Sequence, residues 1–65
     1  MSSELYRRLT AILKDGGCYF LRQGKGSHEI WFSSVTSRTF SIPSNIKPLP
    51  LAKAILKAAG LDDRL

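Results

Sequence analysis

The chain has 65 residues, 43% of them hydrophobic, with ten Lys and Arg against five Asp and Glu and a formal net charge of +5. A chain of this length forms a single domain over residues 1–65 and buries about 60% of the surface its unfolded form exposes, while its hydrophobic content excludes a disordered polymer. The charge favours a polyanion or an acidic protein as partner. Cys18 is alone, which excludes an internal disulfide and fits a reducing compartment. It lies in an apolar run, where a free cysteine serves as a small hydrophobe. No apolar stretch is long enough to span a bilayer. Met1-Ser2-Ser3-Glu4 also lacks the order of a secretory signal, so a cytoplasmic protein without membrane association is expected.

Ser3 to Lys14 reads as an amphipathic helix. Leu5, Leu9, Ile12 and Leu13 fall on one stripe, Ser2 or Ser3 suits the cap, and Glu4 complements the positive end of the dipole. Gly16-Gly17 ends it. Cys18 to Gln23 is rich in strand formers, Gly24-Lys25-Gly26 is a turn, and a second strand runs from Ser27 or His28 to Ser33. After a turn at Val35-Thr36-Ser37, a third strand spans Arg38 to Ile42, with Pro43 as its stop. Ser44 to Leu49 is a loop. Pro50 suits the first turn of a closing helix, whose predicted apolar stripe is Leu51, Ala54, Ile55 and Ala58, with Gly60 as its end. The expected fold is α+β, in the order α-β-β-β-α: a three-stranded antiparallel sheet with both helices on one face. Trp31, Phe20, Phe32 and Phe40 are the aromatic candidates for its core.

The one histidine, His28, lies in Arg22-Gln23-Gly24-Lys25-Gly26-Ser27-His28. Histidine is the side chain whose unperturbed charge change falls nearest neutrality, and the cations, hydroxyl and glycines beside it suit a phosphate. Arg22, Lys25, Gly26 and Ser27 are therefore candidate phosphate contacts. The residues alone leave two roles open for His28, proton transfer or a structural hydrogen bond at a strand end. Glu29 points to the opposite face in a regular strand, so it is expected to be a surface or hydrogen-bonded residue rather than a catalytic acid. One His, one Cys and five scattered carboxylates give no metal-ligand cluster, so no metal and no cofactor are expected. No nucleotide phosphate loop and no Ser-His-Asp arrangement is present. Lys53 and Lys57, with Lys47 before them, form a cationic ridge that suits RNA phosphates or simply a solvated helix face.

The opening helix, the Gly-Gly break, Arg22-Gln23, Gly26-Ser27-His28, Ile30-Trp31, Arg38 to Pro43, and then Leu51, Ile55-Leu56-Lys57 and Ala59-Gly60-Leu61 follow one another in a single order. In that order the chain resembles the HicA family of toxins from bacterial toxin–antitoxin pairs. The resemblance implies a fold similar to double-stranded-RNA-binding domains and a messenger-RNA interferase, an endoribonuclease whose activity depends on the His matched by His28. It also implies neutralisation by a HicB-like antitoxin. Glu29 stands where many members carry a second His or another basic residue, and the loop before the last helix is poorer than usual in polar residues and glycine. The alternative is a non-catalytic RNA-binding module of double-stranded-RNA-binding type. Strand parity groups His28 with Ile30 and Phe32, and Glu29 with Trp31. An open His28 face would offer Ile30 and Phe32 to an antitoxin docking over His28. An open Trp31 face would offer an indole to a base.

Overall fold

A computed structural model describes residues 3–61 and 65. Its elements are α1 (Glu4–Asp15), β1 (Cys18–Gln23), β2 (His28–Ser33), β3 (Arg38–Pro43) and α2 (Leu49–Ala58). The strands form one antiparallel sheet in the order β1-β2-β3. Both helices cover one of its faces: α1 packs against β1, α2 against β3, and the helices against each other. No helix among the described residues is long and apolar enough to cross a membrane.

The Ser3 hydroxyl caps α1 by accepting from the Tyr6 backbone N–H (3.0 Å), and it donates to the Ile46 carbonyl oxygen (2.8 Å). One side chain thus starts the helix and pins the loop before α2. Leu9 and Leu13 face the core while Leu5 and Ile12 flank it, as the stripe predicts. At the end of α1, Gly17 takes φ +96°, and a Cβ there would lie 2.5 Å from Ser34 Oγ, whose hydroxyl bonds the Gly17 carbonyl oxygen. The position requires glycine for both its conformation and the close approach.

The core joins Leu9, Leu13, Cys18, Trp31, Ile42, Ile46, Ala52, Ile55, Leu56 and Ala59. In α2 this corrects the predicted stripe. The buried residues are Ala52, Ile55, Leu56 and Ala59, whereas Leu51 is 41% exposed and Ala54 and Ala58 face outward. Choosing Leu56 rather than Leu51 as the partner of Ile55 turns the helix by about one position, or roughly 100°. The two readings have equal apolar content, so only packing against the sheet decides between them. The helix also begins at Leu49, with Pro50 inside its first turn, and Pro43 is the last residue of β3 rather than the residue beyond it.

Of the aromatic candidates, only Trp31 is fully buried, at 2% exposure; Phe40 packs against the core edge, Phe20 is half-exposed, and Phe32 faces away. The fully buried Ser33 hydroxyl donates to the Ala59 carbonyl oxygen (2.7 Å) and accepts from the Val35 and Thr36 N–H groups (3.2 and 3.3 Å). It thereby ties the end of α2 to the β2–β3 turn. Ser33→Ala strands these groups and is expected to cost about 1–3 kcal/mol, read as a lowered urea midpoint; an unchanged midpoint would contradict this role.

Candidate functional site: the open sheet face and the β1–β2 hairpin

The turn between β1 and β2 fixes the backbone of His28 and leaves its imidazole exposed. The Gly24 N–H donates to the His28 carbonyl oxygen (2.8 Å), and the His28 N–H donates to the Lys25 carbonyl oxygen (3.1 Å). The Gln23 side-chain amide closes the loop by donating to the carbonyl oxygens of Gly26 (3.1 Å) and His28 (2.8 Å). Gly26, at φ +61°, makes the left-handed step of the turn in open space. Lys25, Gly26, Ser27 and His28 are all exposed. The Ser44 N–H donates to the Ser27 carbonyl oxygen (2.8 Å), which brings the loop carrying Lys47 to the same end of the sheet.

Side chains of the open face form rows across the strands. His28 pairs with Pro43, Ile30 lies between Arg22 and Ser41, and Phe32 lies between Tyr19 and Thr39. Arg22 joins this face because β1 is irregular. Phe20 pairs with Trp31 but Arg22 pairs with Ile30, so Leu21 is an extra residue in a bulge. In an unbroken strand Arg22 would share the face of Phe20, which meets Trp31 edge-on (ring centroids 6.4 Å apart) on the helix side. The one-residue shift moves the guanidinium to the imidazole's side, diagonally across from His28.

Trp31 is buried, so His28, Ile30 and Phe32 lie on the open face and the indole is withdrawn from it. Glu29 diverges from His28, as strand parity requires. Its Oε1 accepts from the Tyr6 hydroxyl (2.6 Å) and the Trp31 indole N–H (3.0 Å), joining α1 to the sheet beneath the hairpin. Burial, reinforced by the hydrogen bond to Glu29 and its negative charge, pushes the Tyr6 hydroxyl up to about 12 from 10.0. The folded state therefore holds this proton more tightly than the unfolded chain. The resulting stability is fully present below pH 10 and lost as pH rises through about 12. Tyr6→Phe is expected to remove that part of the alkaline loss, measured by comparing urea midpoints of the two proteins on either side of pH 10; parallel profiles would contradict it.

The structure does not gather all the predicted phosphate contacts. Arg22, Lys25, Gly26 and Ser27 lie in the same β1–β2 hairpin as His28, and Lys47 stands at the same end of the sheet. Lys53 and Lys57 project from the outer side of α2, in the helical layer. Lys57 lies toward the far end, because the neighbouring Ala59 is bonded to Ser33 at the opposite end of β2. Sequence reasoning missed two contributors. Gln23 stands in the sequence at the end of the first strand and in the Arg22-Gln23 pair, with no sign that its amide holds the turn. Tyr19, 50% exposed, meets Phe32 on the open face with ring centroids 5.5 Å apart. Parity separates Tyr19 from Phe20, and only the register of β1 with β2 shows that Tyr19 is the one that meets Phe32. Among the described residues no three His, Cys, Asp or Glu side chains form a metal-binding group.

No curated protein and no solved structure gives a significant match to the chain. A family model does: the one described as the HicA toxin of bacterial toxin-antitoxin matches residues 6–61. That match covers α1 from its first turn, the whole sheet with its His28 hairpin, and α2. The chain belongs to the HicA family of toxins, which act in toxin–antitoxin pairs.

Proposed function

We propose that this toxin is an endoribonuclease that cleaves messenger RNA, with His28 as its general acid or base. The observation carrying this reading is an exposed imidazole on a backbone fixed by its own hairpin, with Arg22 brought to the same face by the Leu21 bulge. The 2′-hydroxyl attacks the adjacent phosphorus, forming an O2′–P bond and breaking the P–O5′ bond. The products are a 2′,3′-cyclic phosphate and a free 5′-hydroxyl. A base takes the 2′-hydroxyl proton and an acid gives one to the departing oxygen; His28 fills one of these roles. Arg22, Lys25 and Ser27 supply cations and a hydroxyl to the phosphate, with backbone N–H groups around Gly26. Lys47 extends the positive field at that end of the sheet, and Lys53 and Lys57 provide at most a separate electrostatic contact with RNA on the helical side.

The antitoxin of the pair is, on this reading, HicB-like. It docks over His28, Ile30 and Phe32, blocks the site and adds stability by binding only folded toxin. Analysis of the RNA ends tests the chemistry. Cyclic-phosphate and 5′-hydroxyl termini are expected, whereas 5′-phosphate ends alone would refute attack by the 2′-hydroxyl. RNA binding without cleavage would point to the non-catalytic RNA-binding module instead.

A further inference from the structure

Tyr19 and Phe32 are a pair of aromatic rings on the one sheet face that no helix covers. Their centroids are 5.5 Å apart and their planes are inclined by 42°; Tyr19 is 50% exposed and Phe32 is partly buried beside it. Two residues further along the sheet, the next row holds Arg22 and Ile30, and the row after that holds His28. At the usual rise per strand residue, Phe32 lies about 13 Å from His28, with the row of Arg22 and Ile30 between them. The flanking residues across β3, Thr39 and Ser41, are polar and exposed.

The charge on this face distinguishes among possible occupants. Glu4 and Asp15 belong to α1, and Glu29 is turned toward α1 by its bonds to Tyr6 and Trp31. Among the described residues the open face therefore presents aromatic rings, an imidazole and an arginine without a carboxylate. Aromatic rings beside a cationic track are the combination that binds single-stranded nucleic acid, because every base offers a π-face and every linkage a negative charge.

From this we infer that Tyr19 and Phe32 form a stacking platform for an unpaired base of the RNA, close along the strand to the phosphate at His28. The inference rests on the ribonucleolytic reading of His28 and adds to it a binding subsite. Arg22 then holds the intervening backbone, and the platform selects single-stranded over paired RNA because a base must leave its helix to reach it. A face used in this way cannot hold RNA and antitoxin at once.

The test measures binding of a labelled, unstructured RNA oligonucleotide to the full chain carrying His28→Ala, so that the RNA stays intact. In this background Tyr19→Ala and Tyr19→Leu are expected to weaken binding about fivefold or more, while Tyr19→Trp retains it and gains fluorescence quenched by the RNA. The leucine keeps an apolar side chain without a π-face, and circular dichroism verifies that each variant is folded. Unchanged RNA affinity in Tyr19→Leu overturns the platform, as does a loss confined to antitoxin binding, which would make the ring pair a protein contact. Cleavage by the chain with His28 intact is scored separately. Platform failure with cleavage leaves the ribonuclease standing, whereas Tyr19-dependent binding without cleavage supports the platform and removes the ribonuclease.

Discussion

Replacing His28 by alanine is expected to lower RNA cleavage by about 10²- to 10⁴-fold, the usual contribution of a positioned acid–base group. The fold should survive the change. The imidazole is exposed, and the bonds that shape the hairpin use the His28 backbone N–H and carbonyl oxygen, which alanine retains. Antitoxin docking extends over Ile30 and Phe32 on the proposed reading, so His28→Ala should still bind its antitoxin. An inactive, folded, antitoxin-binding variant would separate catalysis from every structural role of the residue. A folded variant that cleaves at the wild-type rate would remove His28 from the chemistry.

Trp31→Ala is expected to have the largest effect on stability, a loss of about 3–5 kcal/mol. The indole is the largest fully buried side chain, and its N–H donates to Glu29, which also receives the Tyr6 hydroxyl. Truncation therefore empties the centre of the helix–sheet interface and removes one of two donors to a half-buried carboxylate. A protein of this size has only about 3–10 kcal/mol of total stability, so a large part of the population should be unfolded without a partner. Trp31→Phe keeps most of the ring volume and loses the donor, for a smaller cost of about 1–3 kcal/mol. Urea denaturation followed by circular dichroism reads both. A Trp31→Ala loss below about 1 kcal/mol would contradict the central place assigned to this side chain.

The α-β-β-β-α order was legible because the local signals agree with one another. Serine and glycines bracket α1, strand-forming residues lie on either side of Gly24-Lys25-Gly26, and prolines and glycine mark the closing helix. What escaped were choices that only tertiary packing makes. In α2 two apolar stripes compete, and the sheet takes the one with Ile55 and Leu56. On β2, parity separates Phe32 from Trp31 but cannot say which of them the helices cover. The bulge at Leu21 leaves no mark in composition, yet it decides which face Arg22 occupies. The hairpin end of the candidate site was thus readable as a cluster of residue types, while its geometry, including the hold of Gln23 on the turn and the ring pair of Tyr19 and Phe32, follows from strand register. The lysines of α2 read in sequence as a cationic ridge of their own, and the fold places that ridge in the helical layer rather than on the open sheet face.

The most direct measurement is cleavage of an unstructured RNA by the purified full chain in excess EDTA, with the wild type and His28→Ala side by side. The wild type is expected to cleave without metal and leave cyclic-phosphate ends, and the variant to lose nearly all of that cleavage. A wild type that binds the RNA without cutting it, or a folded His28→Ala protein that cuts as fast as its parent, would contradict a ribonuclease built on this histidine.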